Sequence, residues 1–348
     1  MVVRFRSTTA LVLAVMVTIT SGCLTSKMAK LITTAPNLQH VPAIVRNQKY
    51  AQEYDSLYSQ AWRVPVGPPV AEISVATLEP ADYHFHYELV FKNLPNGRVS
   101  FSSKHDWKVP EPRPAPVAKV KGTIVLLHGY YETKEDMVHW GLRLAEAGYR
   151  VVLLDLRGHG RSTGPWISYG TFEVKDLRQV LDDLQAKGLA DERIGVLGIS
   201  YGASMGLLWA AQDRRIGAVV ALEPFSNARD MPEELGRAVM PKMTALLSSA
   251  DFVRATDKAA QLGGFSWKDG DVVAAVEHVT APVLYIRGGD DTWVAPWHSQ
   301  RLYDHTAGVK GIGLIEHDNH VLLAMRLAPI DTEVLARFAE WLTPPAPK

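Results

Sequence analysis

The pentapeptide Gly198-Ile199-Ser200-Tyr201-Gly202 stands where a short apolar run meets a helix-forming segment. That setting constrains the chain more than any other feature. Arg193-Ile194-Gly195-Val196-Leu197 reads as a strand buried on both faces, and residues 203–211, rich in Ala, Leu, Met and Trp, read as a packed helix. A serine at such a strand-to-helix turn sits in strained backbone geometry with its hydroxyl exposed, and glycines two positions to either side let neighbouring backbone approach. The pentapeptide alone carries little weight. Its setting makes Ser200 a candidate nucleophile.

The surrounding pattern agrees. From residue 121 onward, Thr123 to Leu127, Val151 to Leu154, Ala218 to Leu222 and Val283 to Ile286 are further continuous apolar runs, as expected of parallel strands covered on both faces. Helix-forming stretches alternate with them around 135–147, 172–187, 201–212 and 297–306, and a strand near 311–316 and a helix near 330–342 close the chain. The alternation predicts an α/β class fold with a doubly wound, mostly parallel sheet. Residues 224–280 leave room for a small helical cap, with Met231, Met240, Met243, Leu246, Leu247 and Phe252 either lining an acyl pocket or packing the cap onto the sheet. Before residue 121 the reading is β structure over 71–109, with Asn96-Gly97 as a hairpin turn, followed by a stiff connector at Pro110, Pro112, Pro114 and Pro116. His84 and His86 share a strand face there; with no Cys or carboxylate cluster beside them, surface or cross-strand roles are expected and not metal binding. Tyr50, Tyr54, Leu57, Tyr58 and Trp62 recur at roughly helical spacing and predict one helix packed on the main domain.

The 348 residues are 47% hydrophobic, enough for a sizeable core, and 37 basic residues balance 37 acidic ones with no basic block. This argues against nucleic acid as a partner. The N-terminus reads as a targeting segment: Arg4 and Arg6, an apolar stretch over 10–19 too short for a comfortable span, then Thr20-Ser21-Gly22-Cys23. The last four residues resemble the lipobox of bacterial lipoproteins, although Thr20 replaces the usual Leu. The resemblance implies cleavage before Cys23 and acylation of that residue, the single cysteine of the chain. An ordinary cleaved signal or an uncleaved anchor is the alternative. Leu24 follows the cysteine where an Asp would mark inner-membrane retention, so the expected address is the outer membrane facing the periplasm. The expected organisation is a lipoprotein signal peptide (1–22), a tether with an N-terminal helix (23–70), and an α/β domain over 71–348 with the cap at about 224–280.

Acyl transfer by serine needs a base, an orienter for the base, and donors for the oxyanion. Asp291 follows the run ending at Ile286, in a loop where an open α/β sheet places its site; Asp290 is the rival. His320 follows the last strand, with His317 as its rival. His128-Gly129-Tyr130-Tyr131 follows the first central strand, and a backbone N–H there, that of Tyr130, can pair with the N–H of Tyr201 as oxyanion donors; the Tyr130 phenol can instead line a pocket. Asp155-Leu156-Arg157-Gly158-His159-Gly160-Arg161-Ser162 completes the set. In this order the H-G, D-x-R-G-H-G-x-S, G-x-S-x-G, G-x-x-D-x-x-V and terminal His motifs resemble the α/β-hydrolase superfamily, especially its monoacylglycerol-lipase and serine-aminopeptidase-like branch, over about residues 71–342. The resemblance implies an α/β-hydrolase fold, Ser200 as nucleophile, Asp291 as orienting acid, His320 as base, Tyr130 and Tyr201 as oxyanion donors, and a structural role for His159.

The expected function is ester hydrolysis through an acyl-enzyme, on a small acyl substrate, by a membrane-tethered enzyme without metal or organic cofactor. A peptidase or amidase of the same fold is the nearest alternative, for which Glu223 and Glu316 stand near strand ends as recognition charges. A non-catalytic binding or scaffold lipoprotein is the other.

Overall fold

The computed structural model describes residues 21–39, 51–93, 99–112, 114–116, 119–190, 193–245 and 247–342. The expected signal segment falls outside these residues up to position 20, as do Tyr50, the Asn96-Gly97 turn and Leu246; Cys23 lies in the first helix, and only its backbone is described.

The first part of the chain forms α1 (Ser21–Thr33), β1 (Gln60–Val66), β2 (Ala71–Leu78), β3 (His86–Asn93) and β4 (Val99–Asp106). The apolar runs then become β5 (Thr123–Leu127), β6 (Arg150–Leu154), β7 (Ile194–Ile199) and β8 (Ile216–Leu222), connected by α2 (Val138–Glu146), α3 (Glu173–Ala186) and α4 (Tyr201–Gln212). The cap carries α5 (Met231–Val239), α6 (Pro241–Thr244), α7 (Ser249–Gly263) and α8 (Val272–Val276). The chain closes with β9 (Val283–Gly288), α9 (Trp297–His305), β10 (Lys310–Ile315), α10 (His320–Ala324) and α11 (Ile330–Leu342).

Eight strands form one sheet in the order β1-β2-β6-β5-β7-β8-β9-β10. β5 to β10 run parallel, and β1 and β2 add an antiparallel edge. Every residue of β5, β6, β7 and β8 is buried, which is why these segments read as unbroken apolar runs instead of alternating ones. One core holds residues of α3, α4, α8 and α9 against one face; the other holds α2, α10 and α11 against the opposite face. α4 is buried from Tyr201 to Ala210, so its apolar residues wrap the whole helix. This is the α/β-hydrolase fold.

Two sequence expectations change. The aromatic stripe over 50–62 is not one helix: Tyr54 ends a single 3₁₀ turn, and Trp62 lies on β1, which pairs with β2 along its whole length. Alternating burial over 60–66, set by that pairing, overrides a spacing that fits 3.6 residues as well. Leu57 and Tyr58 are buried in the α2-side core as anticipated. The second concerns α1, in the expected tether, which is docked on the cap. Ala29 and Ile32 enter the core shared with Ala255 and Ala259 of α7, Lys258 Nζ donates to Ser26 Oγ (2.6 Å), and Tyr169 Oη donates to the Ile32 carbonyl (2.9 Å).

In the cap, Met231 and Phe252 are buried while Met240 is exposed, so packing explains the first two. β3 and β4 form a separate hairpin. Its Tyr87 stacks on His139 and donates to the Met325 carbonyl, and Trp107, just beyond β4, stacks on Tyr54. His84 precedes the hairpin and pairs with Asp82, while His86 faces Asp106 across the strands, all exposed.

Candidate active site

The sheet brings the candidate residues to one edge. Ile199, Leu222 and Ile286 are in register at the carboxyl ends of β7, β8 and β9, and the next residues of β7 and β8 are Ser200 and Glu223. Ser200 has φ +51° and ψ −113°, and its N–H donates to the Leu222 carbonyl at 2.7 Å. A non-glycine residue held there stores about 1–3 kcal/mol of strain. The flanking glycines are required by contact. A Cβ at 202 would stand 2.2 Å from the Leu127 carbonyl oxygen, and one at 198 would stand 2.5 Å from the backbone of Gly202 and Ala203. Ser200 is thus the partly exposed point between buried Ile199 and buried Tyr201.

Of the two acid and two histidine candidates, the structure pairs Asp291 with His320. Asp291 Oδ2 lies 2.7 Å from His320 Nδ1, with Asp291 4% exposed and His320 9%. A carboxylate only accepts, so the proton of this bond sits on Nδ1 and Nε2 keeps its lone pair. Asp291 Oδ1 accepts from the N–H groups of Trp293 (2.8 Å) and Val294 (2.9 Å), which fixes the carboxylate. His320 opens α10, whose Asn319 cap accepts from Leu322 N–H, and the Trp293 ring covers the imidazole at 5.2 Å. The rivals Asp290 and His317 face each other at 3.7 Å on the open surface.

Glu223 is the residue whose place the sequence reading missed. It is 1% exposed, and its Oε2 is 3.4 Å from His320 Nδ1. Burial, then the neighbouring Asp291, pushes its carboxyl pKa well up. The signal was present: Glu223 directly follows β8 as Ser200 directly follows β7. Glu316 is exposed. Among the described residues, Glu223, Asp291 and His320 are the one group with metal-like spacing, their ligand atoms lying within 4.8 Å. A metal there would have to replace the Nδ1 proton that Asp291 holds.

Gly129 to Glu132 form a tight turn beside the start of α4. The Glu132 N–H donates to the Gly129 carbonyl (3.2 Å), Glu132 Oε2 accepts from Gly129 N–H (2.7 Å), and Tyr131 takes φ +62°. This fixes the backbone of Tyr130 next to Tyr201, whose N–H is at the first helical position, where no intrahelical acceptor exists. The Tyr130 phenol ring packs among Tyr131, Tyr169 and Tyr201. The 155–162 motif is spent on structure. Asp155 pairs with buried Lys134 (2.9 Å), Arg157 grips Asp176 with two bonds of 2.7 Å, and Ser162 Oγ donates to the Asp155 carbonyl (2.6 Å). His159 is buried, donates to the Arg157 carbonyl (2.9 Å), and is held neutral by burial, which lowers its pKa to about 3.

A cavity of about 210 Å³ lies nearby, although none of Ser200, Asp291 and His320 lines it. Ile199 and Val321, the neighbours of Ser200 and His320, line it together with aromatic side chains that include Tyr54, Tyr87 and Trp107, and with the carboxyl groups of Glu132, Glu135 and Asp136.

Comparison with known proteins agrees with this architecture. Residues 118–262 match the family described as serine aminopeptidase, S33. The chain is 29% identical over 204 residues to the uncharacterised protein YqkD of Bacillus subtilis, covering 58% of this chain and 65% of that one, so it spans less than two thirds of this relative's length. The Pf2001 esterase of Pyrococcus furiosus superposes with a TM-score of 0.54 at 19% identity, covering 83% of this chain and 96% of its own. A membrane phospholipase A described as a bacterial virulence factor superposes with a TM-score of 0.51 at 18% identity, covering 97% and 99%. The fold and these matches agree on an α/β-hydrolase architecture.

Burial, then the nearby Asp136, raises the Glu132 carboxyl from 4.5 to about 8. An acid with a raised folded-state pKa binds more protons folded than unfolded, so its contribution to stability is complete below its ordinary value and is lost as pH rises towards about 8. Glu132→Gln should therefore gain in stability relative to the wild type between pH 4.5 and 8, read as the difference in denaturant midpoints at each pH. A difference that stays constant across this range would contradict the assignment.

Proposed function

We propose that this chain is a serine hydrolase of carboxylic esters, with Ser200 as nucleophile, His320 as general base and Asp291 as its orienting acid. The observation that carries the reading is the buried Asp291–His320 hydrogen bond at the sheet edge where Ser200 occupies its strained turn. Ser200 Oγ attacks the ester carbonyl while His320 Nε2 takes its proton. The N–H groups of Tyr130 and Tyr201 hold the oxyanion, and His320 returns the proton to the leaving alcohol oxygen. Water then attacks the acyl-serine with Nε2 as base, and the carboxylic acid leaves. Asp291 stabilises the imidazolium formed in each half-reaction. The aromatic part of the nearby cavity suits an apolar portion of the substrate.

One observation favours a second reading. Glu132, Glu135 and Asp136 line the same cavity, and a bound ammonium would offset the burial that raises the Glu132 and Asp136 pKa values, as an aminopeptidase needs. Matched ester and aminoacyl-amide substrates decide between the two. Esters are expected to turn over faster, and Ser200→Ala to reduce both by at least about 10³-fold without loss of fold. Faster amide turnover would reassign the substrate class, and near-wild-type hydrolysis by folded Ser200→Ala would remove the nucleophile.

In this reading the enzyme works at a membrane, held through acyl chains on Cys23 and facing the periplasm from the outer membrane. No helix among the described residues is long and apolar enough to cross a bilayer. α1 contains Cys23 in its first turn and leaves Leu24, Lys27, Lys30 and Leu31 exposed, a mixture that suits the boundary between headgroups and acyl chains. Cys23→Ser should abolish palmitate incorporation and move the protein from the membrane fraction to the soluble one. Unchanged membrane retention would contradict the anchor.

A further inference from the structure

Glu223 has no assigned task in the chemistry above, yet the fold maintains it under unfavourable conditions. It is 1% exposed, and neither carboxyl oxygen has a hydrogen-bond partner. Its backbone sits at φ +52°, pinned by the N–H bond to the Ile286 carbonyl (2.8 Å). Buried unpaired polar groups and left-handed non-glycine residues are both costly, and where they persist together a functional reason is to be sought. Apolar residues of similar volume would remove the first cost. The carboxyl instead faces the imidazole, with Oε2 3.4 Å from the same His320 nitrogen that Asp291 holds at 2.7 Å.

We propose that Glu223 is a positioning residue for His320, a second carboxyl behind the imidazole that takes over as orienting acid when Asp291 cannot serve. The inference rests on the Ser200–His320–Asp291 reading. Two carboxyl groups sharing one imidazole do not both ionise in a buried site, so one keeps a proton. Asp291, with two backbone N–H donors on Oδ1, is the better carboxylate. Glu223 has no such donors and is the proton holder. Its surroundings reinforce this: burial first, then Asp291 from the loop after β9, Asp318 from the turn after β10 and Glu132 from the turn after β5, all oppose a charge on it. Of these, Asp318 is neutralised by Arg326. A neutral Glu223 adds no second negative charge that would trap His320 as the imidazolium and remove the base. When the Asp291 charge is deleted, the largest opposing charge disappears. Burial still opposes its charge, and the Nδ1–H beside it offsets that cost, so that Glu223 gives up its proton and accepts a hydrogen bond from Nδ1.

A double-mutant cycle tests this on the full-length protein, measuring kcat/KM for an ester over pH 5–9 in Asp291→Asn, Glu223→Gln and the combined variant, with thermal unfolding as a fold check. A triad that loses its acid outright falls by about 10⁴-fold. Asp291→Asn is expected to fall by only about 10²-fold, and the combined variant to reach the full loss. The loss caused by Glu223→Gln should be at least about tenfold larger in the Asp291→Asn background than in the wild type. The acid limb of Asp291→Asn should be steeper than that of a single proton, because both Glu223 and His320 must then be deprotonated, and adding Glu223→Gln should restore the single-proton slope. A buried glutamate that serves only the fold would change neither the coupling nor the slope. Losses that simply multiply, with an unchanged slope, would overturn the proposal, as would Glu223→Gln abolishing activity while Asp291→Asn does not. Ser200→Ala measured in parallel reads the nucleophile separately: activity surviving in that variant would refute the Ser200 assignment, while the coupling between positions 223 and 291 is judged on its own.

Discussion

The approach of α4 to the end of β5 is the contact on which the site depends. Gly202 lets the first turn of the helix meet the Leu127 carbonyl at a distance that excludes any side chain. That closeness forces the chain to reverse within one residue after β7, and Ser200 takes the positive φ that the reversal demands. The same contact brings the first turn of α4 against the Leu127 and His128 carbonyls, just ahead of the 129–132 turn. The buried parallel strands on either side make the arrangement rigid, because neither β5 nor β7 can shift without disturbing both cores.

Charge is distributed unevenly around this centre. The 155–162 segment carries paired charges: Lys134 with Asp155 and Arg157 with Asp176, all fully buried or nearly so. Such pairs hold loops in place but leave nothing for chemistry. At the carboxyl ends of β8, β9 and β10 the acids Glu223, Asp291 and Asp318 gather, and Arg326 pairs with Asp318. An acidic surrounding favours the imidazolium that a general base must become. It also makes protonation of one of these carboxyl groups part of the resting state, which is why Glu223 matters to the account.

The parallel sheet was legible because strands buried on both faces leave an unmistakable record, continuous apolar runs punctuated by helices. The site was legible because strand ends in such a sheet converge, so Ser200, Asp291 and His320 could be nominated by position after a strand, with Gly288 and Val294 around Asp291 favouring it over Asp290, and the structure separates Asp291 and His320 from the exposed Asp290 and His317. Other features left no local trace. The 50–62 stripe fits helix spacing and strand pairing alike, and only the partner strand β2 decides. Docking of α1 on α7 joins segments more than 200 residues apart through small residues such as Ala29 and Ala255. The role of Glu223 depends on a distance to His320, far along the chain, which no motif spans.

Intact-mass analysis after treatment with a fluorophosphonate reads whether Ser200 is an activated nucleophile: one adduct is expected on the wild-type protein and none on Ser200→Ala. A folded wild-type protein that forms no adduct, or a Ser200→Ala protein that still forms one, would contradict it; the first result would favour a non-catalytic binding role for this hydrolase fold.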